Sequence, residues 1–203
     1  MMLKKKLLGW SAAGLLGVSC MAGDATPENA GRDVLSVIHS RKSVRIYQNK
    51  AITREQLETL LKAGMAAPTA ADRRPWAFVA ITDRKTLSAL ADVLDYGRML
   101  RNAPAAIVVL GTKDRFLEGK DAEMWVQDCS AATENILLAA EGLGLGAVWL
   151  GVYPVWERVK AVAKIVGAPG DAIPLNVISI GWPGGKEKPK DKYDPSRIHW
   201  EKW

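Results

Sequence analysis

Apolar residues recur along this chain with two periods, and the switches between them mark out the elements. From Asp33 the spacing is helical to about His39, with Asp33 placed as an N-cap. SVRIY (43–47) alternates and predicts an extended segment. Thr53 and Gln56 have capping-box spacing, and Leu57, Leu60, Leu61 and Gly64 follow on one helical face. The two prolines of APTAADRRPW (67–76) end that helix. WAFVAI (76–81) predicts a strand, RKTLSALADVL (84–94) a helix, and AAIVVLG (105–111) a strand buried on both faces. The longest helix is expected over 121–142, with Trp125, Cys129, Ala132, Ile136 and Ala140 spaced by three and four, and GLGLG closes it. A strand at 147–152, a helix at 154–166 opened by Pro154 and a strand at 175–182 complete the pattern, and the charged tail from 183 is not core. Strands interleaved with helices, without an internal repeat, predict one α/β or α+β domain.

Composition changes this picture mainly at the N-terminus. The 203 residues are 48% hydrophobic and 25% charged, enough for a core of ordinary size. Three of the six net positive charges are Lys4, Lys5 and Lys6, which precede an uncharged apolar run and the small-residue region SCMAG. That is the layout of a secretory signal, and the run is too short to span a bilayer comfortably. Residues 1–22 are therefore assigned as signal, 23–32 as linker and 33–203 as the folded domain, in an exported bacterial protein that is periplasmic or membrane-anchored. Cys20 resembles the lipidated cysteine of a bacterial lipoprotein box, although Gly17 stands where leucine is usual; cleavage after Ala22 or Gly23 is the competing reading. Without the three lysines the charge is +3, too little to argue for a nucleic-acid partner. Cys129 is the only other cysteine, so no disulfide framework is expected.

Candidate chemistry concentrates in RKSVR (41–45). In an extended segment Arg41, Ser43 and Arg45 point the same way, and two guanidiniums flanking a hydroxyl can clamp a phosphate; the competing reading is a solvated turn. Gly142, Gly144 and Gly146 close a helix and open a strand, the reverse of a dinucleotide fingerprint, so helix capping explains them better. With only His39 and His199 and no GxSxG, hydrolase chemistry and a transition-metal site find no support. Cys129, on the apolar face of its helix, reads as a structural thiol. Lys186, Lys188, Lys190 and Lys192 alternate along the tail and, by charge alone, read as a solvated surface.

Taken together, four blocks resemble the FMN-dependent nitroreductase family over residues 33–203. SRKSVR is similar to its Arg-Arg-Ser-x-Arg start, and APTAADRRPWAF to its Ala-Pro-Ser-x-x-Asn-x-Gln-Pro-Trp block. WVQDCSAATENILLAAEGLGLGAVWLG and KPKDKYDPSRIHW follow in the family's order. The resemblance implies an α+β fold, a mixed central sheet flanked by helices, in a homodimer with FMN at the interface. It assigns Arg41, Lys42, Ser43 and Arg45 to the phosphate and adjacent flavin edge, with Lys190 and Lys192 completing the phosphate site. Pro68, Thr69 and Asp72 match the loop that a second subunit lays against the flavin, and Leu150 and Gly151 the strand end that approaches the isoalloxazine. Thr69 replaces serine, Asp72 replaces asparagine, and Lys42 and Lys192 stand where arginine is common. A lone Asp72 carboxylate would disfavour the reduced flavin unless Arg73 or Arg74 neutralises it.

The implied activity is ping-pong reduction of a small acceptor, such as a nitroaromatic or quinone, by NADH or NADPH, with the flavin rather than a side chain carrying the redox step. Within the family, reductive dehalogenation or flavin fragmentation is an alternative, disfavoured by the short interval from Leu94 to Arg115. From another class, the alternative is an exported, non-catalytic flavin-binding or electron-relay protein.

Overall fold

The computed structural model describes residues 33–203; the signal and linker readings, Cys20 included, lie outside the described residues. The fold is α+β. Helix α1 (Val34–Ser40) starts as expected, with the Asp33 carboxylate accepting from the Ser36 N–H. Helix α2 (Arg54–Met65) opens on the full capping box: the Thr53 hydroxyl accepts from the Gln56 N–H, and the Gln56 side chain accepts from the Thr53 N–H. Then come β1 (Trp76–Ile81), α3 (Arg84–Val93), β2 (Ala105–Thr112), α4 (Met124–Gly142), β3 (Gly146–Gly151), α5 (Trp156–Val166) and β4 (Ala172–Gly181).

The strands form one sheet in the order β1-β2-β4-β3, and each neighbouring pair is antiparallel. Among the described residues, the parallel component of the expected mixed sheet is a single bridge, Ser43 to Ala147, on the outer edge of β3. Every residue of β4 is buried, as are all but the last of β2, so the apolar run at 105–111 does reflect a strand covered on both faces. Helix α4 lies across this sheet with Cys129, Ala132, Ile136 and Ala140 buried. Gly64 lets α2 approach α4, since a Cβ there would lie 3.0 Å from the Ile136 side chain.

Three boundaries differ from the expectation by two residues or more. Strand β4 begins at Ala172 rather than 175, and so contains Pro174. Pro174 pairs with Leu110 where the β2–β4 register shifts, and this irregularity admits a residue with no N–H to give. Helix α5 begins at Trp156, not Pro154, because Val152 and Tyr153 both donate to the Leu175 carbonyl and tie the chain to β4 first. Helix α4 begins at Met124, with Gly119–Asp121 forming a separate 3-10 turn.

The glycine run does two jobs. Gly144, at φ +72, ends α4 in the left-handed region. Leu145 then donates to the Ala140 carbonyl and Gly144 to that of Glu141, the paired bonds of a Schellman cap. Gly146 allows close approach: a Cβ there would lie 2.6 Å from Val44, which is itself fully buried. Gly146→Ala should cost about 1–3 kcal/mol in urea unfolding through overpacking. At Gly151 an added Cβ meets nothing within 4 Å, so Gly151→Ala should change stability by less than about 0.5 kcal/mol.

Candidate functional site

The extended segment after α1 is anchored by the buried Val44, whose N–H donates to the Ala147 carbonyl at 3.0 Å. Burying position 44 turns Ser43 and Arg45 outward, as alternation requires. The like charges beside Ser43 are kept apart partly by carboxylates of the same chain. Arg41 Nε lies 3.2 Å from Glu134 Oε1, and Lys42 Nζ lies 3.3 Å from Glu141 Oε2. Glu134 and Glu141 are two turns apart on α4, so one helix face supplies both. The Arg45 backbone N–H donates to Glu187 Oε1 at 3.1 Å, fastening the tail to this segment.

That fastening brings the tail lysines back to the N-terminal cations. Arg41, Lys42, Ser43 and Arg45 line a cleft of about 430 Å³ together with Glu187, Lys188, Lys190 and Lys192 from the tail. Among the described residues, six cations and one carboxylate line it, a donor set suited to a phosphate: forked and point-charge donors with a neutral hydroxyl. The structure therefore joins all six residues that the sequence assigned to the phosphate end. Sequence reasoning missed Glu134, Glu141, Glu187 and Lys188; the seven-residue spacing of the two α4 glutamates was the available signal for the first pair.

Strand β3 acts as a ruler from this cleft. Ser43 pairs with Ala147, and Gly151 lies four residues further along, about 13 Å at roughly 3.3 Å per residue. Leu150 and Gly151 border a smaller cleft of about 90 Å³ with Leu94, Asp95, Tyr96 and Arg158. Gly151 is exposed, so its backbone is open to an approaching planar group.

Pro68, Thr69 and Asp72 lie elsewhere, on the α2–β1 loop, and line neither cleft. This loop is held from two sides. Asp128 on α4, nearly buried, accepts from the Ala70 N–H at 2.9 Å, and Arg73 donates to the carbonyls of Arg115 and Phe116. The Thr69 hydroxyl accepts from the Arg74 N–H at 3.2 Å and can still donate its own hydrogen. Ala71, Asp72 and Arg74 have φ of 49, 51 and 49°, the left-handed region that residues with a Cβ disfavour. Arg74 grips Asp72 with both arms of its fork, Nε to Oδ1 at 2.7 Å and Nη2 to Oδ2 at 2.5 Å, and this holds the Asp72 carboxyl below the usual range. An exposed ion pair stabilises weakly in water, less than such backbone strain costs.

Cys129 is fully buried, and burial, with Asp128 adjacent, raises its thiol to about 12, so it is not a nucleophile. Among the described residues, no His, Cys, Asp and Glu group is arranged to hold a metal ion.

The profile described as "Nitroreductase family" matches residues 38–96 and 93–182. A protein of Archaeoglobus fulgidus described as "Putative NADH dehydrogenase/NAD(P)H nitroreductase" is 45% identical over 174 residues, covering 84% of this chain and 99% of that protein. A crystal structure from Parabacteroides distasonis, with the same description, superposes with a TM-score of 0.79 at 46% identity, covering 84% of this chain and 98% of that one. An "FMN-dependent Nitroreductase" from Clostridium difficile superposes with a TM-score of 0.77 at 27% identity, covering 83% of this chain and 99% of that one.

Burial raises the Asp128 carboxyl, so the folded state binds a proton more tightly than the unfolded chain. Its ionised form then costs stability, absent below the usual carboxylate pKa and fully present once pH exceeds the folded value. Asp128→Asn keeps an oxygen for Ala70 and removes the charge. It should raise the thermal midpoint at pH 7 and by less at pH 4; equal gains at both would show that the buried charge is not the cause.

Proposed function

The chain belongs to the nitroreductase family, and from that premise we propose that it is an FMN-dependent NAD(P)H oxidoreductase, reducing small acceptors such as nitroaromatics or quinones as a homodimer. The observation that carries this reading is the cationic cleft: chain segments separated by more than 140 residues meet around Ser43 with a donor set for a phosphate. FMN supplies that phosphate, and the length of β3 suits a molecule with its phosphate at Ser43 and its planar end at Gly151.

Each group then has a task. Arg41, Ser43 and Arg45, with Lys42, Lys190 and Lys192, hold the phosphate and the adjoining edge. Glu134 and Glu141 fix the directions of Arg41 and Lys42, so little side-chain freedom is left to lose on binding. Leu150 and Gly151 present backbone to the ring, and Pro68, Thr69 and Asp72 close the site from a second copy. When bound, the flavin supplies the hydride and electron transfer between nicotinamide and acceptor. No acid–base side chain is assigned, since solvent or substrate can supply the proton.

The homodimer reading draws on apolar surface left open in one copy. Val34, Leu35 and Ile38 on α1 are 69, 62 and 45% exposed, and Trp200 and Trp203 in the tail 82 and 97%. Export, with or without lipid on Cys20, remains a proposal from residues 1–22 alone, tested by cell fractionation and radiolabelled palmitate.

Charge-assisted bonds to phosphate are worth about 1.5–3 kcal/mol each. Arg41→Ala with Arg45→Ala should therefore give a folded dimer that purifies colourless, with FMN affinity weakened about 10²–10⁴-fold; a fully yellow double variant refutes the phosphate assignment. Without oxygen, NADH or NADPH should bleach the wild-type protein rapidly. Bleaching only by dithionite or a partner protein would favour the electron-relay reading instead.

A further inference from the structure

The α2–β1 loop departs from the family block at two charged positions. Asp72 stands at the asparagine of Asn-x-Gln-Pro-Trp and Arg74 at the glutamine, and the two bond to each other through both oxygens. A neutral amide pair has become an ion pair, with no change in net charge.

We propose that Asp72 and Arg74 form one charge-balanced pair that keeps the reduction potential of the bound flavin where an uncharged loop would leave it, an inference that rests on the FMN reading and on this loop closing the site of a second copy. The pair is built in a way that surface stabilisation does not explain. Ala71, Asp72 and Arg74 all take left-handed backbone, and the loop is pinned at Ala70 by Asp128, at Thr69 by the Arg74 N–H and at Arg73 by two carbonyls. Strain held in place by that many contacts marks a geometry kept for use. The fork occupies Nε and Nη2 and leaves the Nη1 hydrogens for a further acceptor.

Charge supplies the mechanism. Reduction adds negative charge to the flavin. A lone carboxylate at the loop would oppose that charge and a lone guanidinium would favour it, most strongly once the site is closed to water. Bonded together they nearly cancel, as the neutral amides would. Arg73 is not the neutralising partner, because its guanidinium is committed to the carbonyls of Arg115 and Phe116.

Anaerobic redox titration of FMN-loaded variants tests this, with FMN affinity and thermal midpoint measured alongside. Asp72→Asn should raise the potential and Arg74→Gln lower it. Each shift should reach at least tenfold in the reduction equilibrium constant, about 30 mV for a two-electron couple. The double variant D72N/R74Q should return close to wild type, and Arg74→Lys should stay near it because the charge is kept. Yellow single variants with unchanged potentials, or shifts of the same sign in both, overturn the proposal. If the wild-type chain takes up no FMN, the cofactor reading fails and the proposal with it; a FMN-loaded wild type with unresponsive single variants sinks the proposal alone.

Discussion

The contact on which the site depends is the one between Val44 and the bare backbone of Gly146. Any side chain at 146 would hold the 41–47 segment off the edge of β3. With glycine there, Val44 is buried, Ser43 bridges Ala147, and the neighbouring cations are set at one end of a strand whose other end is Gly151. The distance between a phosphate-binding end and a ring-binding end is thus a property of strand geometry, not of flexible side chains.

Helix α4 works behind this contact. Its apolar side covers the sheet, and its carboxylates reach the two segments that carry binding residues. Glu134 and Glu141 steady Arg41 and Lys42, and Asp128 holds the Thr69–Asp72 loop at Ala70. The acids on α4 partly answer the repulsion built into RKSVR, so the cleft can gather cations without waiting for an anion. What remains after those pairings is positive charge for a ligand, supplied from both ends of the domain.

Much of the fold was legible because its elements announce themselves locally. The Thr53–Gln56 box, the Asp33 cap and the limits of β1 follow from neighbours in sequence, and the buried run at 105–111 from unbroken apolarity. The starts of β4 and α5 were not legible. Pro174 is admitted by a register shift in a strand 64 residues away, and α5 is delayed by bonds from Val152 and Tyr153 to β4. Local propensity carries no trace of a partner so distant.

The same division holds for the site. The sequence alone determined the residue types: two guanidiniums around a hydroxyl, a loop of the Pro-Thr-x-x-Asp kind, and alternating tail lysines. Their order along the chain was enough for the family to be named. Only the tertiary structure decided that the tail meets the N-terminal segment through Glu187, that Arg41 and Lys42 already have carboxylate partners, and that Arg74 rather than Arg73 neutralises Asp72. Composition and spacing record which charges a chain possesses. Which of them stand opposed depends on distances and burial across the fold, because the strength of a charge pair is set by its separation and by how far water is excluded from it.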